Sequence, residues 1–265
     1  MKSDLAVRDT ALPTSGVSGS PCAWLHANAA PAPPAWQQNA LLASLPAAVR
    51  QGWGTHARLA LLHPGQVLHQ EGGVLQWVYF PLNTLVSLTL QDRSGVGSEV
   101  AAVGPEGVVG LPLMDGNYTR SQAEVQHTGH AVRLPAVLLA EAFAQQAAVR
   151  DRLLAYSQAL VSEIMQTVLC ARHHSLEQQL CRFLLRRLER QATPALAMTQ
   201  EAIAARLGVR RESVTLTAAR LQQAGVIRYA RGRIEVLDAA RLHERGCDCH
   251  RILQREFRRL LDPRG

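Results

Sequence analysis

The 265-residue sequence lacks the features of several protein classes. No apolar run approaches the roughly 18 residues of a membrane-spanning helix, so no membrane partner is expected. The N-terminus has no basic region followed by an apolar core, which argues against a secretory signal. The five cysteines of the chain are odd in number and irregularly spaced, which argues against a disulfide framework and favours a reducing, cytoplasmic environment.

Catalytic sequence motifs are also missing. The chain has no Walker phosphate loop, no Gly-x-Ser-x-Gly motif and no His-Glu-x-x-His motif. We therefore predict that the protein is not an enzyme, has no catalytic residues and uses no cofactor. Lysine is nearly absent, since Lys2 is the only lysine among 28 basic residues. This bias indicates a GC-rich genome as much as a function.

The basic charge is concentrated towards the C-terminus. Residues 1–171 contain 9 Lys/Arg and 11 Asp/Glu, a net charge of −2, whereas residues 172–265 contain 19 and 10, a net charge of +9. The whole chain carries +7 and has a pI near 9.7. A basic block of this kind is typical of phosphate binding and favours nucleic acid as a partner.

Within the basic block, residues 199–227 have the pattern of two helices joined by a tight turn. Thr199 can cap the first helix, and Gly208 lies where the chain must leave that helix with a positive φ. The second helix starts near Arg210 and has apolar residues at helical spacing, namely Val214, Ala218 and Leu221. This is the helix-turn-helix layout, in which the start of the second helix reaches base edges in the major groove.

An alternating segment over residues 226–236 follows, with an Arg-Gly-Arg tip. It predicts a two-stranded hairpin, the wing of a winged helix, whose tip arginines can meet phosphates. The alternative is an Ala-rich helical pair with a solvated arginine face. The residues that we predict to contact DNA are Thr199, Gln200, Arg210, Arg211, Glu212, Ser213, Thr215, Arg220, Arg231 and Arg233.

The N-terminal half is predicted to be rich in β-structure. Residues 1–38 are rich in Ala, Pro, Ser and Gly and are predicted to form a flexible extension. An amphipathic helix over 40–50 is expected to break at Pro46. Short β runs, punctuated by Gly and Pro, then indicate a barrel or sandwich. These runs cover residues 59–62, 67–68, 74–80, 85–90, 99–103, 123–126 and 131–134.

After Pro135 the pattern becomes helical, with helices predicted over 137–143, 148–172 and 175–190. In the long helix, six residues at alternating four- and three-residue steps have the pattern of a coiled-coil seam. They are Leu153, Ser157, Leu160, Ile164, Thr167 and Ala171. We predict a homodimer through this seam, because two-fold dimers suit palindromic half-sites. The alternative is that this face packs only on its own domain.

The order of these parts, a β-roll followed by a long helix and a basic winged helix, resembles the Crp/Fnr family of bacterial transcription regulators over about residues 40–245. Residues 64–72, Pro-Gly-Gln-Val-Leu-His-Gln-Glu-Gly, resemble the family's early β-roll turn. The resemblance implies an α+β fold with a cyclic-nucleotide-binding-like β-roll effector domain (39–147), a dimerisation helix (148–172) and a winged helix-turn-helix domain with a C-terminal tail (173–265). It also implies sequence-specific binding of double-stranded DNA. RNA polymerase and an unidentified small-molecule effector are further candidate partners.

The recognition helix departs from the family's pattern at one position. The family's Arg-Glu pair matches Arg211 and Glu212, and an arginine that reads guanine beside a glutamate that reads cytosine is chemically reasonable. The family usually has a second arginine four residues after the glutamate, where this chain has Leu216. This difference implies a half-site unlike the family's familiar ones.

The effector domain departs from the pattern of the cyclic-AMP-binding members. Arg120 and Ser121 resemble their phosphate-binding pair, although Arg120 could equally be a solvent-facing loop residue. Gly110 stands where those members have a ribose-binding carboxylate, and Glu106 lies four residues out of register. Loss of a charge-assisted hydrogen bond of about 1.5–3 kcal/mol leads us to predict that cyclic AMP is not the effector.

Metal binding is not expected from the spacing of possible ligands. Iron–sulfur members of the family gather several cysteines near the N-terminus, where this chain has only Cys22. Cys247, Cys249 and His250, with His243 four residues upstream of Cys247, could bind zinc, but one residue between two cysteines is not the usual zinc spacing. The adjacent residues His173 and His174 point to different faces of a helix. The alternative function for the whole chain is a signalling or adaptor module whose β-roll binds a ligand or a protein and whose basic domain binds nucleic acid non-specifically.

Overall fold

The structure, a computed structural model, describes residues 36–93, 97–111, 118–190 and 195–261; most of the predicted N-terminal extension lies outside these ranges. Two short helices come first, α1 (Ala40–Ser44) and α2 (Ala47–Gly52). Pro46 immediately precedes α2, so the predicted break is confirmed. Asn39 fixes α1 to the β-roll, because its carbonyl oxygen caps the helix while its amide nitrogen donates to the carbonyls of Pro81 and Gly107.

Seven strands form the two antiparallel sheets of the β-roll. They are β1 (Arg58–Leu62), β2 (Val67–His69), β3 (Trp77–Pro81), β4 (Val86–Gln91), β5 (Gly97–Val103), β6 (Gln122–Val125) and β7 (Gly129–Pro135). Their order is β1-β7-β3 in one sheet and β2-β6-β4-β5 in the other. Each predicted β run corresponds to one strand. The run expected from residue 74 starts late, because Val74 makes only an isolated bridge with Tyr118.

Three helices follow the roll, α3 (Ala136–Gln145), α4 (Ala147–His173) and α5 (Leu176–Leu188). The first half of α4 packs into the core of the roll, where Tyr156 is buried and its hydroxyl donates to the Val108 carbonyl oxygen at 3.2 Å. Its ring lies against Gly107, where a Cβ atom would come within 2.3 Å of the ring. A side chain at position 107 would therefore displace α4 from the roll.

The C-terminal domain has its own sheet and core. Its elements are β8 (Ala195–Ala197), α6 (Gln200–Leu207), α7 (Arg211–Gln223), β9 (Ile227–Ala230), β10 (Arg233–Val236), α8 (Ala239–Arg245) and α9 (Cys249–Leu261). The strand order is β8-β10-β9. Leu184 of α5, Ile203 of α6 and Val214 of α7 meet in one buried cluster. The final helix α9 turns back and packs along α4.

The predicted long helix is present as α4, and part of the predicted dimer seam packs within its own chain. Leu153 is 0% exposed in the core of its own chain, and Leu160 and Ile164 pack against the same core. The hydroxyls of Ser157 and Thr167 donate to carbonyls of the preceding turn. Three of the six predicted seam residues therefore contact the core of their own chain, while Ala171 is exposed.

A different apolar stripe on α4 faces outward. Its exposed members are Leu154, Val161, Met165, Val168 and Leu169. By length and composition α4 could cross a membrane, and among the described helices it alone meets both criteria. Its inner face, however, makes the contacts of a core helix with the roll and with α9. We call these five residues the outer stripe of α4.

Candidate nucleic-acid interface

The first helix of the helix-turn-helix has the predicted boundaries. The Thr199 hydroxyl accepts a 3.1 Å hydrogen bond from the Ala202 amide, which caps α6. Gly208 ends the helix with φ 65° and ψ 35°, the left-handed conformation that favours glycine. The cap at Thr199 and the left-handed conformation of Gly208 therefore fix the two ends of α6 and the direction in which the chain enters α7.

The second helix, α7, has one buried and one exposed side. Val214, Ala218 and Leu221 are buried, as predicted from their spacing. Arg210, Arg211, Glu212 and Thr215 are exposed around its first turn. The Thr215 hydroxyl donates to the side-chain oxygen of Gln200 at 2.6 Å, which ties the start of α7 to the start of α6.

Arg211 has little to hold it within the protein. Its Nε atom lies 3.9 Å from a carboxylate oxygen of Glu201, and both side chains are mostly exposed, at 63 and 72%. Exposed pairs of this kind contribute little because water and salt screen them. The guanidinium is thus accessible to an external acceptor. One turn further on, the apolar side chain of Leu216 is 63% exposed.

The wing is a tight hairpin between β9 and β10. Its two turn residues, Arg231 and Gly232, have φ of 49° and 72°, as a two-residue type I′ turn requires. Among the described residues, Arg231 is the only non-glycine with a positive φ. Tyr229 fixes the wing to α6, because its hydroxyl accepts a 3.2 Å hydrogen bond from the Gln200 amide.

Most of the residues predicted to contact DNA are solvent-exposed in three neighbouring elements. Thr199, Arg210, Arg211, Glu212, Thr215, Arg220, Arg231 and Arg233 are exposed, while Gln200 and Ser213 are partly buried. They lie at the start of α6, along α7 and at the tip of the wing. Arg220 stands apart from the others, in the last turn of α7. Contact with DNA remains a prediction for each of them.

The structure also shows a contact that sequence reasoning missed, between the helix-turn-helix and the β-roll. Arg206 of α6 pairs with Glu124 at 3.2 Å, and Arg187 of α5 pairs with Glu99 at 2.6 Å. A Cβ atom at Gly208 would lie 2.5 Å from the Ser98 hydroxyl. Burial lowers the pKa of Arg187, and the adjacent Glu99 carboxylate opposes that shift. The turn at Gly208 and the helices α5 and α6 thus contact the edge of the roll.

A buried ion-pair cluster joins α4 to α5. Glu163 accepts hydrogen bonds from Arg186 at 2.8 Å and from Arg190 at 2.9 Å. Burial alone would raise the pKa of Glu163, but the two guanidiniums outweigh burial and hold the pKa at about 2. Because Arg190 also pairs with Glu106 of the roll at 2.8 Å, the cluster connects three parts of the chain.

The predicted effector residues lie at the surface of the roll. The Arg120 side chain is 78% exposed and lies 3.6 Å from Glu71, while Ser121 is partly buried. Gly110 has φ 81°, which glycine adopts readily. Nearby, burial lowers the pKa of His69 to about 4, so its imidazole is neutral near pH 7 and offers no positive charge to a phosphate.

Four possible metal ligands converge elsewhere, at the end of α4. The ligand atoms of Cys170, His174, Cys247 and Cys249 all lie within 4.8 Å of one another. Sequence spacing suggested His243 and His250 as partners of the two C-terminal cysteines, but these two rings pack on each other, with centroids 4.9 Å apart. The sequence did not connect Cys170 and His174 with these cysteines, because about 75 residues separate the two halves of the cluster. Cys22 lies outside the described residues.

Comparison with known proteins is consistent with this architecture. Residues 178–245 match the Crp-like helix-turn-helix domain. No relative was found among curated protein sequences. Among solved structures, FixK2 from Bradyrhizobium japonicum is 19% identical with a TM-score of 0.63, over 72% of this chain and 98% of that one.

Two further solved structures have the same fold. TTHA1359, a CRP/FNR-family transcriptional regulator from Thermus thermophilus, is 22% identical with a TM-score of 0.59, over 71% of this chain and 97% of that one. CLP from Xanthomonas campestris, a c-di-GMP-responsive global regulator, is 10% identical with a TM-score of 0.57, over 72% of this chain and 99% of that one. The predicted α+β architecture is confirmed. The chain contains a Crp-like helix-turn-helix domain and has the fold of the Crp/Fnr transcriptional regulators.

Proposed function

We propose that this protein is a sequence-specific, DNA-binding transcription regulator that binds palindromic operators as a homodimer and has no enzymatic activity. The observation that carries the proposal is the exposed first turn of α7 within a Crp-like helix-turn-helix domain. A recognition helix of this kind places its first residues against base edges in the major groove.

Arg211 and Glu212 are the proposed base-reading pair. The Arg211 guanidinium is accessible and can donate two parallel hydrogen bonds to guanine, while the Glu212 carboxylate can accept from the amino group of cytosine. The exposed Leu216, one turn along the same helix, offers an apolar contact suited to the methyl group of thymine. This combination predicts a half-site with a thymine where an arginine-bearing relative would read guanine.

The remaining predicted residues would position the protein on the phosphate backbone. Arg210 precedes α7 and makes no side-chain cap to that helix, so its charge is available to a phosphate. Arg231 and Arg233 at the wing tip, Arg220 on α7 and the polar residues Thr199, Gln200, Ser213 and Thr215 complete the proposed contacts. Contacts to phosphate fix orientation and give a strong dependence on salt, but they carry no sequence information.

The outer stripe of α4 is the proposed dimer interface. Val161, Met165 and Val168 are 47, 57 and 59% exposed and follow one another at four- and three-residue steps, with Leu154 one heptad before Val161. That spacing is the one that lets two helices interlock in a coiled coil. An apolar surface of this extent needs a partner, and a second copy of α4 presents the same stripe.

Cyclic AMP is not the proposed effector. The Glu106 carboxylate, the nearest candidate for binding a ribose hydroxyl, is already paired with Arg190 at 2.8 Å and accepts from the Gly104 amide. An exposed Arg120 alone would hold a phosphate weakly. The fold itself does not demand cyclic AMP, since CLP of Xanthomonas campestris, with the same fold, is a c-di-GMP-responsive regulator.

Selection of bound fragments from a random duplex library tests the proposal. A specific regulator will enrich a two-fold symmetric motif whose half-sites lie one or more helical turns apart, about 10 base pairs centre to centre. It will also retain specific complexes under competition by bulk DNA. The adaptor alternative predicts binding that falls with salt and enriches no motif.

A further inference from the structure

The ends of two helices bring three thiols and one imidazole together where α4 meets α5. Cys170 lies in the last turn of α4, and His174 directly follows that helix. Cys247 lies between α8 and α9, and Cys249 is the first residue of α9. Residues four apart at a helix end lie on the same side of the helix, so Cys170 and His174 form one half of the cluster and the Cys-Asp-Cys segment forms the other.

The spacing of the ligand atoms matches a tetrahedron around one ion. Zinc–sulfur bonds of about 2.3 Å and zinc–nitrogen bonds of about 2.0–2.1 Å place two tetrahedral sulfurs about 3.8 Å apart, and a sulfur and a nitrogen about 3.5 Å apart. The Cys170 and Cys247 sulfurs are 3.7 Å apart, and the Cys249 sulfur lies 3.3 Å from His174 Nδ1. A disulfide would need about 2.05 Å, and these cysteines are free.

We propose that Cys170, His174, Cys247 and Cys249 bind a single Zn²⁺ ion in a closed tetrahedral site. Three thiolates and one imidazole form a donor set that zinc prefers, and four protein ligands leave no open position, as in structural zinc sites. An iron–sulfur cluster fits less well. Its ligands are shared among at least two irons, and ligands on different irons would stand further apart than the 4.8 Å within which all four ligand atoms lie. This proposal replaces the expectation, drawn from spacing, that no metal binds.

The surroundings of the cluster support a metal site. Cys170 and Cys249 are each 1% exposed, whereas Cys247 and His174 are partly exposed and leave a route for an ion. The side-chain amide of Gln166 donates to the Cys249 sulfur at 3.0 Å. A hydrogen bond of this kind orients a thiolate and disperses its charge, which is the usual role of a residue behind a metal ligand.

The ion would add a strong link between parts of the chain that are otherwise joined by packing and hydrogen bonds. It would clamp the end of α4 to the segment between α8 and α9, beside Ser175, where α5 and the DNA-binding domain begin. Loss of zinc would therefore weaken the attachment of the start of α9 and loosen the angle between α4 and that domain. An effect on operator affinity rests on the proposed function, whereas the binding of zinc does not.

Metal content of the full-length protein is the direct test. Protein prepared with reductant, without a metal-binding tag and dialysed against metal-free buffer should contain one zinc per chain by mass spectrometry. Cys247→Ser, at a partly exposed ligand, should lose that zinc. Two control variants should keep the zinc. Cys181→Ala removes a buried cysteine of α5 outside the cluster, and His243→Asn removes a histidine that sequence spacing suggested as a ligand.

A cobalt titration keeps the test independent of the stability of the variants. Co²⁺ added to the zinc-free wild-type protein should give the intense visible bands of tetrahedral thiolate coordination, and zinc should abolish them. Gln166→Leu should keep these bands but lower zinc affinity about 10–100-fold. Absence of both zinc and the cobalt bands in the wild type would overturn the proposal. Loss of as much metal in Cys181→Ala as in Cys247→Ser would also overturn it. A third contradicting result would be a metal-free protein that forms a Cys170–Cys247 disulfide in air and binds neither zinc nor cobalt.

Discussion

The Arg187 guanidinium donates to the Glu99 carboxylate at 2.6 Å, and both side chains are almost fully buried, at 3 and 10% exposure. Arg187 belongs to α5 of the DNA-binding domain and Glu99 to β5 of the roll. Ser87 of β4 donates to the same carboxylate oxygen. A change in the roll that moves β5 would therefore act on the DNA-binding domain through this carboxylate.

Glu99→Gln tests the importance of that pair. The substitution keeps the shape of the side chain but leaves the buried Arg187 without a counter-charge. Breaking a buried pair in this way typically destabilises a protein by about 3–5 kcal/mol. Glu235→Gln is the control, because its pair with Arg228 is largely exposed and should change the unfolding free energy by about 0–1 kcal/mol. Urea denaturation measures both, and equal losses would refute the assigned role of burial.

Glu163 predicts a dependence of stability on pH. Its pKa is about 2 in the folded protein and about 4.3 when unfolded, so its stabilising contribution is complete above about pH 5 and is lost as pH falls towards 2. The shift corresponds to a contribution on the order of 3 kcal/mol. The unfolding free energy of Glu163→Gln should therefore fall furthest below that of the wild type near pH 7, and the difference should shrink at pH 3. Unfolding free energies that differ by the same amount at both pH values would contradict the prediction.

The outer stripe of α4 predicts a monomeric variant. Val161→Glu with Met165→Glu would place like charges across the proposed dimer interface, and sedimentation should find monomers at micromolar concentration. The matched control is Leu61→Glu with Val137→Glu, which changes exposed apolar side chains on β1 and α3 and should leave a dimer. A dimeric double variant on α4 would show that the interface lies elsewhere.

Calorimetry tests the effector prediction. Cyclic AMP and cyclic GMP should each show no binding in the low micromolar range, because Glu106 is engaged with Arg190. A low micromolar dissociation constant for either, accompanied by tighter operator binding, would show that the prediction is wrong. A thermal-shift panel of other nucleotides would then reveal a different ligand, since a ligand that binds only the folded protein raises its Tm.

Short-range chemistry made much of the DNA-binding domain predictable from the sequence. The cap at Thr199, the turn at Gly208 and the wing tip each depend on residues within a few positions, and the structure has all three. Strand β8 was missed, because three residues, Ala195–Ala197, show no alternation and become a strand only by pairing with β10. The C-terminal cysteines lie beside Cys170 and His174 only because α9 packs on α4, a long-range contact that no local pattern in the sequence predicts.

The dimer seam shows a different limit of sequence periodicity. Along α4, apolar residues occur in adjacent pairs, Leu153–Leu154, Leu160–Val161 and Ile164–Met165. Each pair supplies one member to a core-facing stripe and one to an outward stripe, and both stripes have the spacing of a coiled coil. Only contact with the roll shows which stripe is buried, and that contact buries Leu153 and leaves Leu154 exposed.

The central claim, that the first turn of α7 reads DNA sequence, is tested most directly by one comparison. Fragments selected by the wild type are compared with those selected by Arg211→Ala, with Arg241→Ala, an exposed arginine on α8, as the control of equal charge. We predict that Arg211→Ala folds normally and loses preference at one base pair of each half-site, a difference of about 1–3 kcal/mol, while Arg241→Ala keeps the wild-type motif. An unchanged motif for Arg211→Ala would contradict the account.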